Sequence, residues 1–265
     1  MKIAIIGGGN MGGAIARGLA TKETVSSASD ITVIDVNQNA LDELKVFNSK
    51  LNAVQKDDEA ISKAEIVIIA LKPWLVEGVL IGIKPLLDYS KQIIVSVAAG
   101  ISFQQLNVVL RKEDDQPPVL FRVIPNTAIS VGESMTFLSS YNAFEEQERL
   151  LLDVFGSLGN ALLVDEKQIG AGTALASCGI AYAFRYIRAA MEAGVEIGFY
   201  PDQAKEIVLQ TLQGAVDILK ATGNHPEQEI DKVTTPGGVT IKGLNAMEQN
   251  GFTNAVIQGI KASNL

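Results

Sequence analysis

The chain has 265 residues, 47% of them hydrophobic, enough for a sizeable core in one large or two modest domains, which excludes general disorder. Charged residues are 20% of the total and spread along the chain, and a net charge of −8 argues against nucleic acid or an anionic membrane as the principal partner. A lone Cys178 excludes an intrachain disulfide framework, and with a single histidine, His225, it makes no recognisable zinc cluster; both features fit a reducing cytoplasm.

The first apolar run, 3–6, meets three glycines and is too short for a signal-peptide core. No later stretch reaches the roughly 20 apolar residues of a membrane-spanning helix. Export and membrane insertion are therefore not expected. Short β-branched runs recur at 2–6, 31–35, 66–71, 92–97 and 119–123, separated by helix-compatible stretches. That alternation predicts βαβ units, and continuous apolar runs such as 66–70 predict strands buried on both faces. The first half reads as an α/β Rossmann domain, a doubly wound and mostly parallel sheet.

Strand 2–6 runs into Gly7-Gly8-Gly9-Asn10-Met11-Gly12 and then an Ala- and Leu-rich helix, the strand–turn–helix setting of the dinucleotide fingerprint. Gly7 permits the tight turn, Gly9 lets the backbone approach a pyrophosphate, and Gly12 allows the helix to pack closely on the sheet. Asn10 and Met11 open the helix whose N-terminus faces the phosphates. The second strand ends in Asp35, at about the 20-residue spacing where a carboxylate accepts hydrogen bonds from the adenosine ribose. Such a group favours NAD and repels a 2′-phosphate. Two further strand ends complete a cleft at the carboxyl edge. They are Ala70-Leu71-Lys72-Pro73, with Lys72 at the mouth, and Ala98-Ala99-Gly100, whose small residues let a nicotinamide lie near the backbone.

After Pro125 two weaker strands are expected, at 135–138 and 161–164, flanking an acidic helix at 143–158 and extending the edge of the sheet. From 169 onward helical spacing takes over, through 197, over 203–221, and again from 240. The expected division is 1–164 for the dinucleotide-binding domain and 165–265 for an all-α domain. The helix from 169 would run about 42 Å if unbroken. Residues 170–183 carry no charge on any face and are expected to be buried all round, in the first place against a partner subunit. The polar stretch at His225-Pro226 is expected to start a further helix.

Thr235-Pro236-Gly237-Gly238-Val239-Thr240 resembles the signature of the pyrroline-5-carboxylate reductase family. The resemblance extends through the glycine-rich turn with Asn10-Met11, Leu71-Lys72-Pro73, Val97-Ala98-Ala99-Gly100, Arg122-Val123-Ile124-Pro125-Asn126-Thr127 and Gly223-Asn224-His225-Pro226. It implies reduction of a cyclic imino acid to proline in the cytoplasm, with NADH or NADPH as cofactor. It further implies an all-α dimerisation domain, a homodimer or a ring of dimers, and substrate held between cofactor and helical domain. It makes Thr240 the catalytic threonine that bonds the ring nitrogen, and Thr235, Gly237, Gly238 and Val239 the carboxylate cradle. It places Asn126 with the cofactor-binding residues. A Pro-Gly-Gly turn before a helix supports the cradle physically, because consecutive N–H groups and the helix dipole favour a small anion.

Two departures stand out. Ser177-Cys178-Gly179-Ile180 replaces the family's Gly-Ser-Gly-Pro, which restores a backbone donor and predicts a straighter helix. Asp57 stands where many members have asparagine. Other readings are a β-hydroxyacid dehydrogenase, a broader imine reductase, or a noncatalytic nucleotide sensor. The first would need a lysine that 170–187 lacks, and the retained loop at 235–240 argues against the last.

Overall fold

The computed structural model describes residues 1–22, 26–113 and 116–264. They form two compact units, Met1–Cys178 joined by Asn264, and Gly179–Ser263.

The first unit is built by alternation of strand and helix: β1 (Ile3–Ile6), α1 (Asn10–Lys22), β2 (Ile31–Ile34), α2 (Gln38–Phe47), β3 (Asn52–Val54), α3 (Asp58–Lys63), β4 (Ile66–Ile69), α4 (Pro73–Ile83), β5 (Ile93–Ser96), α5 (Phe103–Leu110) and β6 (Val119–Ile124). Then come β7 (Ser134–Tyr141), α6 (Glu145–Gly156), β8 (Gly159–Leu163) and the short α7 (Ile169–Gly172). The sheet order is β3-β2-β1-β4-β5-β6-β7-β8, parallel as far as β6. β7 then runs antiparallel to β6, and β8 parallel to β7, so the two weaker strands do extend the edge. Every residue of β1, β4, β5 and β6 is buried, as parallel strands between two helical layers must be. Side chains alternate across the sheet: Ile3, Ile5, Ile66 and Ile68 meet Ile15, Leu41 and Phe155 of α1, α2 and α6. Ala4, Val67 and Ile69 share the other core with Val76, Leu80 and Leu106 of α4 and α5.

The first unit runs on to Cys178, past the break expected at 164, because residues after β8 are tied to the sheet. Glu166 pairs with Arg122 of β6 at 2.9 Å, and Gly172 lies so close to the Phe137 ring that a Cβ would stand 2.8 Å from it. Ser177 Oγ donates to the Pro125 carbonyl at 2.8 Å. The unbroken helix expected from 169 is not formed either. Residues Thr173–Ser177 make a π turn, in which Cys178 N–H reaches back five residues to the Thr173 carbonyl at 2.9 Å. Thr173 Oγ1 itself bonds the Ile169 carbonyl, an arrangement that loosens the backbone ladder and bends helices. Ile180 in place of proline therefore does not give a regular helix through this segment.

The second unit contains α8 (Gly179–Glu196), α9 (Pro201–Thr222), α10 (Pro226–Val233), α11 (Val239–Gln249) and α12 (Phe252–Ala262). Gly194 lets α8 approach α9, since a Cβ there would stand 2.9 Å from Ala204 Cβ. Ala204 is nevertheless the one buried apolar residue of these helices, while Phe184, Ile197 and Val233 are more than half exposed. Within 170–183 only Gly172 and Ala174 are buried, so its own chain does not supply the burial expected there. No described helix is long and apolar enough to cross a membrane.

Arg122 is nine-tenths buried, and its Nε has no partner, so Glu166 is what neutralises the guanidinium. The same carboxylate oxygen accepts the Phe103 N–H at 2.7 Å at the start of α5. Glu166→Ala is expected to cost ~1–3 kcal/mol in denaturant unfolding, and Glu166→Gln, which keeps an acceptor, distinctly less.

Candidate active site

The carboxyl ends of four parallel strands are level, because the ladder continues one residue past each. Gly7 N–H donates to Ile34 O and Ala70 N–H to Ile6 O, both at 2.8 Å; Val97 N–H donates to Ile69 O at 3.0 Å and Asp35 N–H to Val54 O at 3.2 Å. This lines up Gly7, Asp35, Ala70 and Val97 on one edge, at the point where strand order reverses about β1. A cleft of about 500 Å³ opens there, lined in part by Gly7, Asp35, Val36, Asp57, Leu71 and Leu75.

The glycine-rich turn is shaped by contact as well as conformation. Gly7 has φ +106°, which L side chains rarely adopt, and a Cβ at Gly12 would overlap the Gly7 carbonyl. At Gly9, by contrast, nothing lies within 4 Å of where a Cβ would be, and Gly9 and Asn10 are exposed. Half-buried Met11 packs against the core. The first N–H groups of α1, at Asn10, Met11 and Gly12, have no preceding helical turn to bond to and no acidic residue among them. A tight, open-faced turn ending in free donors fits the pyrophosphate of a dinucleotide.

Asp35 is bound more firmly than its sequence position indicates. Its Oδ2 accepts the Gly8 N–H at 2.5 Å and its Oδ1 the Asn37 N–H at 2.8 Å. The carboxylate thus ties the end of β2 to the turn after β1. Gly8 and Asn37 are the contributors that the motif does not reveal, although an Asn two residues after an Asp before a helix is a readable capping signal. Asn37 Oδ1 accepts the Asn39 N–H at 3.0 Å and caps α2. Asp57 caps α3 through the Ala60 N–H at 2.8 Å.

Along the rest of the edge, exposed Lys72 is the N-cap residue of α4, with Pro73 in its first turn. Ala98 is buried, while Ala99 and Gly100 are exposed. Asn126 is buried, and its side-chain oxygen caps a short 3-10 turn through the Ala128 N–H at 3.0 Å. That oxygen is therefore occupied locally.

In the helical unit, Gly237 is left-handed at φ +69° and turns the chain so that Gly238 N–H donates to Thr235 O at 2.9 Å. Gly238 thus spends within the turn the donor expected of it in the cradle. A Cβ on Gly238 would stand 2.5 Å from Thr235 Oγ1, so the second glycine is what lets Thr235 fold over the turn. Thr235, Val239 and Thr240 are exposed, and α11 begins without a side-chain cap. Its first-turn N–H groups are open to an anion.

The neighbouring segment is a latch. Lys232 and Asn224 both bond Glu229 Oε1 at 2.7 Å and hold its carboxyl below the usual range. His225 Nδ1 accepts the Glu227 N–H at 3.3 Å and starts α10. Tyr182 donates to the Gly259 carbonyl at 3.2 Å, and Tyr186 meets Phe252 edge-on, so both are packing groups.

Sheet order, the level strand ends and the turn of Gly7–Gly12 define a Rossmann-type dinucleotide-binding protein extended by a helical unit. Residues 166–264 match the family described as pyrroline-5-carboxylate reductase dimerisation, and 2–100 that described as NADP oxidoreductase, coenzyme F420-dependent. Pyrroline-5-carboxylate reductase 1 of Dictyostelium discoideum is 37% identical over 98% of the chain, which spans 48% of that longer protein. Reductase 2 of the same organism is 36% identical over 98% of the chain and 90% of its own length. The crystal structure of Plasmodium falciparum pyrroline carboxylate reductase with NADP bound superposes with a TM-score of 0.88 at 28% identity, covering 99% of this chain and 95% of that one. The chain belongs to the pyrroline-5-carboxylate reductase family.

The two glycines separate packing from binding. Gly12→Ala is expected to lower both the melting temperature and NAD(P)H affinity, whereas Gly9→Ala should leave melting unchanged and weaken NAD(P)H about tenfold or more by occupying pyrophosphate space. Calorimetry alongside nucleotide titration checks both.

Proposed function

We propose that the chain reduces 1-pyrroline-5-carboxylate to L-proline with NAD(P)H, the closing step of proline biosynthesis. The observation that carries this reading is the diglycine turn at the uncapped start of α11, flanked by Thr235 and Thr240, in a chain that also bears the dinucleotide edge. When bound, the reduced nicotinamide supplies the hydride. Gly7, Gly9, Asn10, Met11 and Gly12 hold the pyrophosphate, and Asp35 takes the ribose hydroxyls. Ala70, Leu71, Lys72 and Pro73, with Ala98, Ala99, Gly100 and Asn126, wall the cofactor and keep water from the reacting carbon.

The substrate's carboxylate is held by the Thr235 hydroxyl and by N–H groups at Gly237, Val239 and the first turn of α11. No basic side chain is needed, since the donors are fixed and the helix dipole adds to them. Thr240 bonds the ring nitrogen. A protonated carbon–nitrogen double bond is already strongly electrophilic, so the task of Thr240 is to orient it while donor and acceptor carbons come within about 3–3.5 Å.

The same reading makes the chain a cytoplasmic homodimer, with a closed ring of dimers as the larger assembly. A helical unit with one buried apolar residue and the dimerisation-family match both support self-association. The single cysteine supports the compartment.

Purified protein is expected to oxidise NADH or NADPH only when pyrroline-5-carboxylate is present, and absence of that oxidation rejects the reading. Thr240→Ala should lower kcat by about 10- to 100-fold and leave nucleotide affinity within a factor of about two; unchanged turnover would remove Thr240 from the reaction. Melting temperature should rise with protein concentration, as for any fold whose core is completed by a second copy, and sedimentation velocity gives the size of the assembly.

A further inference from the structure

We propose that the adenosine end of the carboxyl-edge cleft selects NADH over NADPH, through Asp35 locked between two backbone amides and two further carboxylates, Asp57 and Asp58, lining the same cleft. The inference rests on NAD(P)H being the reductant and says which form is used.

NADPH differs from NADH by a 2′-phosphate that brings roughly two negative charges. A site that accepts it needs free N–H donors or cations near the end of β2. Here two of the donors at that corner are already engaged. Gly8 and Asn37 N–H both point at Asp35, at 2.5 and 2.8 Å, and the Asn37 side chain takes the Asn39 N–H at the start of α2. Two amides on one carboxylate also keep it from swinging away from an arriving phosphate.

The lysine that lines the cleft is engaged too. Lys56 lines the cleft but pairs with Asp58 at 3.3 Å. Arg17 on α1 pairs with Glu43 at 3.5 Å, and its guanidinium lies 5.9 Å from the centre of the Phe47 ring. Three carboxylates and one paired lysine therefore meet a phosphate with net repulsion.

A ribose 2′-hydroxyl meets the opposite situation. An ionised carboxylate has about four acceptor positions, and the two amides take one on each oxygen. One position per oxygen remains for the 2′- and 3′-hydroxyls. Because the Plasmodium falciparum relative holds NADP on the same fold, the selectivity belongs to this chain's residues at the corner and not to the Rossmann frame.

The test is equilibrium titration of the full-length protein with NADH and with NADPH, followed by nicotinamide fluorescence. NADH is expected to bind about tenfold or more tightly at low salt, and the ratio to shrink as salt screens the carboxylates. Asp35→Ser removes the charge and frees two amides; it should tighten NADPH by about tenfold and weaken NADH a few-fold. Asp57→Asn retains a side chain that caps α3, so it should fold normally and narrow the ratio by about two- to fivefold. Equal affinities in the unmodified protein, or an unchanged ratio in Asp57→Asn, would overturn the inference. Failure of the reductase reading would look different: no imine-dependent oxidation with either nucleotide, while the binding ratio stands.

Discussion

The nucleotide edge depends on one close approach, that of α1 to the carbonyl of Gly7, which is possible only because Gly12 has no side chain. With α1 seated this deeply, the end of its axis lies at the end of β1, and its unpaired N–H groups open where the parallel strands stop. The same contact leaves no room for error in the turn between. Gly7 takes a conformation that other residues resist, and Asp35 holds the Gly8 amide from the neighbouring strand. The site is therefore braced by the sheet before any ligand arrives, and binding need not first organise the loop.

Anion handling follows the same economy in both units. A chain carrying −8 that works on an anionic substrate and an anionic cofactor must create local positive potential without large basic patches. On the proposed reading helix N-termini do this: α1 begins among glycines, and α11 begins without a cap beyond a left-handed Gly237. By contrast α2 and α3 each begin with a side-chain cap, from Asn37 and Asp57.

Much of this was legible in sequence, and what was not has identifiable causes. Central strands were readable because burial on both faces demands unbroken β-branched runs, and the fingerprint because strand, glycines and helix occur in obligatory order. β3 escaped because it has three residues and one buried side chain, Ala53, too little for any period to show. The π turn at Thr173–Ser177 escaped because an uncharged, small-residue stretch has the same pattern whether bonded four or five residues back. The Arg122–Glu166 pair joins positions whose proximity only the folded sheet creates. At the diglycine turn sequence showed the glycines but not their division of labour: Gly237 bends the chain, while Gly238 accommodates Thr235 and uses its own N–H inside the turn.

The helical unit shows why family membership and single-chain stability are one question. Five helices with a single buried apolar residue cannot offset the conformational entropy of ordering their backbone, which amounts to roughly 1–2 kcal/mol per residue. Local features help only at the margin: His225 starts α10, Gly223 in a left-handed conformation ends α9, and the Glu229 latch fixes the bend between them. The missing apolar burial must come from another surface, and a second copy presents the same exposed helices in the same number.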